Sequence, residues 1–128
     1  MIDSKLLLPY GLTAQAQFLA AAGEPARALA LLDDALEVAS STTSRFYLAE
    51  TQRSRAGARA ALGDPDAEQD LHLAVATASH QGSIPFELRA RLALSELGQH
   101  SDRLDELRSD PALVAASGIA PGAVAPPT

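Results

Sequence analysis

The stretch Ala20-Ala21-Ala22-Gly23-Glu24-Pro25 returns 40 residues later, with small changes, as Ala60-Ala61-Leu62-Gly63-Asp64-Pro65. In each stretch Gly suits the left-handed position that ends a helix, and Pro suits the first turn of the next helix. The acidic residue between them lies where the new helix presents the positive end of its dipole. Each stretch therefore predicts a tight corner between two antiparallel helices.

A stripe of small and apolar residues follows each corner. Both stripes have the spacing i, i+4, i+7, i+11, which places all four members on one helix face. Alanine lets a neighbouring backbone approach closely, and leucine fills the remaining space. We therefore predict that both stripes lie in the core and that one helical hairpin is repeated along the chain. The stripes are Ala28, Leu32, Ala35 and Ala39, then Ala67, Leu71, Ala74 and Ala78.

The composition limits both the fold class and the chemistry. Alanine occupies 27 of 128 positions and aromatic residues make up 4%, which favours close helix packing over a sheet. The absence of Cys excludes disulfides, thiolate metal sites and a Cys nucleophile. The net charge of −6 argues against direct binding to nucleic acid or to an anionic membrane. No apolar run approaches the roughly 18 residues that span a bilayer, so we expect a cytoplasmic protein.

Gly, Pro and Ser divide the chain into about six main helices in one domain at residues 9–116. A further short turn is expected from Pro111 to Ala116. We expect residues 1–8 to form a lead-in and residues 117–128, rich in Pro and Gly, to form a disordered tail. The uncapped run Leu6-Leu7-Leu8 predicts contact with an upstream repeat or a homodimer. The predicted helices cover about 9–22, 25–40, 45–62, 65–80, 84–97 and 102–108, paired as hairpins 9–40, 45–80 and 84–108.

Small residues at fixed places in both arms of a hairpin, with Gly and an acidic residue at the corner, resemble the tetratricopeptide repeat. The resemblance implies an all-α fold of tandem antiparallel hairpins stacked as a right-handed solenoid. Two features depart from the pattern, because the period exceeds the roughly 34 residues of the standard repeat and Ser40 and Ser79 replace its closing Pro. Residues at the small positions are Ala16, Ala28 and Ala35, and those at the large apolar positions are Leu12, Leu19 and Leu32.

A narrower set of segments looks like the C-terminal helical repeats of large bacterial regulators. That resemblance implies a non-catalytic sensor or scaffold that binds a protein or effector and controls a neighbouring domain. The sequence contains no Gly-x-x-x-x-Gly-Lys-Ser/Thr loop, so we expect either a fragment of such a transcriptional or signal-transduction regulator or a standalone peptide-binding adaptor. The segments are 44–50, 55–57, 61–64, 74–82 and 87–94.

In the tetratricopeptide fold, the first helix of each hairpin lines a concave groove. From the resemblance we expect Arg53 and Arg89 to contact a bound peptide, since guanidinium groups match carboxylates. The arginines of the third predicted helix include a second pair, Arg55 and Arg59, on one helix face. The whole group is either a solvated face paired with acids such as Glu50 or an anion-binding wall, and its members are Arg45, Arg53, Arg55 and Arg59. The residues expected near the groove are Tyr10, Thr13, Gln17, Glu50, Arg53, Leu88 and Arg89.

No catalytic, cofactor or metal site is expected. His72, His80 and His100 lack the spacing of metal ligands, and the acids at 64–70 are explained by the helix dipole and solubility. A histidine phosphotransfer domain that uses His72 is a remote alternative. We therefore expect a protein or peptide partner, and neither direct nucleic-acid binding nor membrane insertion.

Overall fold

The computed structural model describes residues 4–41 and 47–118, with side chains at 11–39 and 47–118. These residues form helices and no strand, so the predicted all-α class is confirmed. The predicted tail beyond residue 118 lies outside the described residues. The helices are α1 (Ser4–Ala21), α2 (Pro25–Ser41), α3 (Leu48–Ala61), α4 (Ala67–Gln81), α5 (Ile84–Glu96), α6 (Asp102–Arg108) and α7 (Pro111–Ala116).

The first helix begins earlier than its sequence pattern predicts. It starts at Ser4 and carries Pro9 in its second turn, whereas the predicted start was residue 9. Leucine favours helix, so the run 6–8 extends α1 on the N-terminal side of Pro9. Pro9 has no N–H and therefore leaves out one backbone hydrogen bond of the helix. The short turn expected after Pro111 forms α7.

Both predicted corners have the same geometry. Gly23 has φ +82° and Gly63 has φ +74°, a left-handed conformation that costs little without a Cβ. The amide after each glycine donates to a carbonyl five residues back, Glu24 to Leu19 and Asp64 to Arg59, both at 2.9 Å. This is the Schellman pattern that satisfies the last carbonyls of a helix. The same bond closes α4 from Ser83 to Ala78 and α5 from Gln99 to Leu94.

The two alanine–leucine stripes are buried, as predicted. All eight residues have 5% or less of their surface exposed, and Ala28, Ala35, Ala74 and Ala78 have none. Leu32 packs in one cluster with Ala16 and Ala58. The stripes therefore hold α2 and α4 against the neighbouring helices through short side chains.

Successive helices from α1 to α6 pack against each other along the chain, and α7 packs on α5 and α6. In addition α3 contacts both α1 and α5, so these three helices lie in one row. Among the described helices, none has the combination of length and hydropathy that would cross a bilayer. Two adjoining cavities lie along the row of α1, α3 and α5, and a wider one of about 490 Å³ lies between α1 and α2.

Candidate binding cleft

A cavity of about 320 Å³ is lined by residues of α1, α3 and α5 and by one residue of α2. We call it the arginine cleft. Its polar lining is Gln17, Arg53, Ser54 and Arg89. On α3 the lining residues share one face because they lie three or four positions apart. The apolar lining is Ala16, Ala20, Leu32, Gly57 and Ala58.

Glu50 lies beneath this cleft and organises it. Its surface is 1% exposed, and Arg53 donates to both of its oxygens, through Nε to Oε2 at 2.9 Å and through Nη2 to Oε1. Arg89 Nη2 pairs with Oε1 at 2.9 Å. Gln17 Nε2 donates to Oε1 at 3.3 Å and to Ser54 Oγ at 2.9 Å. One buried carboxylate thus joins α1, α3 and α5.

The cleft holds more positive than negative charge. Arg53 and Arg89 share the single carboxylate of Glu50, and no other carboxylate of the described residues lies within 4.0 Å of either guanidinium. Burial opposes the charged form of Arg53, but hydrogen bonding and charge from Glu50 outweigh it and raise the pKa of Arg53 above its ordinary value. The side chains of Arg53 and Arg89 are 23% and 32% exposed.

A second, smaller cavity of about 160 Å³ lies between α3, α4 and α5. We call it the leucine cavity. Arg53 and Gly57 line both cavities, so the two adjoin along α3. Glu96 is its acidic lining residue, and the charge of Glu96 also favours the ionised form of Arg53. Its apolar lining is Ala56, Ala60, Ala67, Leu71, Ala93 and Leu97.

The structure brings four of the seven predicted groove residues together: Gln17, Arg53 and Arg89 line the cleft, and Glu50 lies below them. Thr13 and Leu88 correct the expectation, because both are fully buried. The Thr13 hydroxyl lies 2.7 Å from that of Thr51 at the α1–α3 contact. Leu88 packs against α6 and α7. It does not share the direction of Arg89, because successive residues of a helix point about 100° apart. The side chain of Tyr10 lies outside the described residues.

The second arginine pair is committed to another buried acid. Arg55 donates to both oxygens of Asp70, at 3.0 and 2.7 Å, and Arg59 donates at 2.9 Å. Burial opposes the charged form of Arg55, but Asp70 and Asp33 outweigh it and raise the pKa of Arg55. Asp70 is 1% exposed, so the expectation of a solvated acid is wrong for this residue. Its position three residues after Ala67, on the face of the buried stripe, was the available signal.

One group of side chains has the composition of a metal site. His100, Asp102 and Asp105 offer ligand atoms within 4.8 Å of one another. All three are exposed, and Asp105 already accepts a hydrogen bond from Arg108 at 2.7 Å. A guanidinium on the same carboxylate competes with a cation, so this group is a weaker candidate than the cleft.

The cleft is therefore a small, partly apolar depression with two charged guanidinium groups fixed by a buried acid. Such a surface fits a carboxylate or another anion presented by a partner. Comparison with family models, with curated proteins and with solved structures finds no match for this chain.

Proposed function

We propose that this chain is a non-catalytic protein-interaction module that holds an acidic peptide segment in the arginine cleft. The observation that carries the proposal is the charge of the cleft, where Arg53 and Arg89 share only Glu50. Counting the charges within 4.0 Å of the two guanidinium groups, a bound carboxylate would bring their sum to zero. It would also occupy guanidinium N–H groups that Glu50 leaves available.

The architecture that we propose for the module is a short tetratricopeptide-like solenoid. Three features support it: the matched corners at Gly23 and Gly63, the buried alanine–leucine stripes, and the row of α1, α3 and α5. In such an array the first helix of each hairpin faces one side. The arginine cleft lies on helices of that kind.

A peptide suits this cleft better than a nucleic acid does. The chain has a formal net charge of −6, which repels a phosphate backbone at long range, whereas one net positive charge in a depression attracts an isolated acidic side chain. A neutral peptide segment with a single carboxylate is attracted by the cleft and is only weakly repelled by the net negative charge of the chain. The resemblance to bacterial regulator repeats supports a sensor or scaffold role, in which a held segment sets the position of a neighbouring domain.

The proposal is tested with a positional hexapeptide array, in which one position carries each amino acid in turn and the others are mixtures. We expect the protein to enrich Asp and Glu at one position or more, with binding that weakens as salt is raised. No enrichment, or enrichment of Lys and Arg, would overturn the proposal.

The cleft is assigned by a neutral variant, Glu50→Gln combined with Arg53→Gln and Arg89→Gln. It removes the excess charge without leaving an unpaired buried carboxylate, and circular dichroism checks that the helices remain. The matched control is Arg27→Gln, because Arg27 pairs with Glu24 on the exposed surface of α2. The enrichment should disappear in the triple variant and persist in the control.

A further inference from the structure

We infer that the ligand is an extended segment that crosses α3 at Gly57, with a carboxylate in the arginine cleft and an apolar side chain in the leucine cavity. The inference rests on the proposed function and adds the second half of the ligand. It follows from the glycine between the cavities, the lining of the smaller cavity, and the position of one acid.

Gly57 lies in the interior of α3, where glycine weakens a helix relative to alanine. It does not have the positive φ that would require glycine. A Cβ built at this position meets no atom within 4 Å, so packing within the protein does not require glycine either. What the missing side chain does is keep the surface low between the two cavities that Gly57 lines. The backbone of a bound peptide segment can therefore pass close to the α3 backbone at Gly57.

The leucine cavity has the size and lining of a side-chain subsite. Its volume of about 160 Å³ is below the roughly 300–1,000 Å³ of small-molecule pockets. Ala56, Ala67 and Leu71 are 5% exposed or less, whereas Leu97 is 47% exposed. An apolar side chain placed in the cavity would cover the part of the Leu97 surface that lines it, and removing apolar surface from water is favourable.

Charge sets the direction in which the segment lies. Glu96 lines the leucine cavity and does not line the arginine cleft. A ligand carboxylate in the leucine cavity would face Glu96 as well as Arg53, whereas in the arginine cleft it faces Arg53 and Arg89 and no acidic lining residue. The acidic group therefore belongs to the α1 side of Gly57 and the apolar group to the α4 side.

The test uses hexapeptides with one Asp and one Leu, separated by zero to three residues in either order, and the same peptides with Ser in place of Leu. At one spacing we expect Leu to raise affinity for the wild-type protein at least about 10-fold over Ser. If the Asp–Ser peptides bind and Leu adds nothing at any spacing, this inference is wrong while the proposed function stands. If no Asp peptide binds, the proposed function itself fails.

Two variants locate the contact. Ala60→Leu fills the leucine cavity from α3. It should lower the affinity of the Asp–Leu peptide to that of the Asp–Ser peptide. The affinity of the Asp–Ser peptide itself should stay within about 2-fold of its value for the wild-type protein. Gly57→Leu raises the crossing point and should weaken the Asp–Leu peptide at least about 10-fold, with Gly57→Ala as the smaller matched change. Thermal unfolding confirms that each variant folds. An unchanged Asp–Leu affinity in Gly57→Leu would mean that the segment does not cross there.

Discussion

Replacing Glu50 with alanine should destabilise the fold far more than a typical surface acid-to-alanine change. The side chain is 1% exposed, and Gln17, Arg53 and Arg89 all direct donors at it. Without it, two guanidinium groups face each other with no anion between them. Breaking a buried pair costs about 3–5 kcal/mol, but Arg53 and Arg89 are 23% and 32% exposed and recover part of their hydration. We therefore expect a loss of about 2–4 kcal/mol.

That loss is a large share of the roughly 5–15 kcal/mol that stabilises an ordinary domain. Urea unfolding at pH 7 measures it directly, and the midpoint of thermal unfolding should fall by about 3–5 °C for each kcal/mol. Glu50→Gln keeps an acceptor oxygen and the shape but loses the charge, so its effect should be intermediate. Because the pairs are partly buried, the loss should persist at high salt.

The matched control is Glu24→Ala, because Glu24 pairs with Arg27 at the surface and such pairs contribute less than about 1 kcal/mol. If Glu50→Ala unfolds within about 0.5 kcal/mol of this control, Glu50 does not organise the cleft and the positions of the two arginines need another cause.

Three further substitutions test the fold, and one tests the charge of the groove. Asp70→Ala leaves two arginines without their shared acid and should cost about 2–4 kcal/mol in urea unfolding, whereas the exposed Asp34→Ala should stay within about 0.5 kcal/mol. Ala35→Leu overpacks a fully buried position and should cost about 1–3 kcal/mol. Gly63→Ala strains a residue at φ +74° and should destabilise by about 1–2 kcal/mol. Glu96→Gln removes an acid near Arg53 and should strengthen acidic-peptide binding; unchanged or weaker binding would contradict the proposed charge pattern.

Local signals predicted the helices and corners because these depend on neighbouring residues. Gly23 and Gly63 mark helix ends through their own backbone preference, and the stripe at Ala28 and Leu32 identifies a buried face by spacing alone. The predicted start at residue 9 is later than the observed start at Ser4, because a proline in the second turn removes only one backbone hydrogen bond and the helix continues on its N-terminal side.

The cleft was predicted only in part because its contacts join distant segments. Gln17, Arg53 and Arg89 were placed by a resemblance, and the structure puts all three at one cavity. Thr13 and Gln17 lie on one face of α1, so their spacing alone does not distinguish them. Thr13 is buried where α1 packs on α3, and its hydroxyl lies 2.7 Å from that of Thr51. The ion pairs of Asp70 with Arg55 and Arg59 could not be predicted from the sequence either, because they depend on how α3 and α4 pack against each other.

The described structure contains three buried acids that are each bound by two arginines, and the network at the candidate site differs from the other two in its net charge. Within 4.0 Å, the arginines on Asp70 also meet Asp33 and Asp64, and those on Glu87 also meet Glu106. These two networks are therefore negative or neutral. The network on Glu50 contains two arginines and no second acid. Since it is also the one that borders the 320 Å³ cleft, a ligand carboxylate would meet unbalanced guanidinium charge there, whereas in the other two networks the acids already balance or outnumber the arginines.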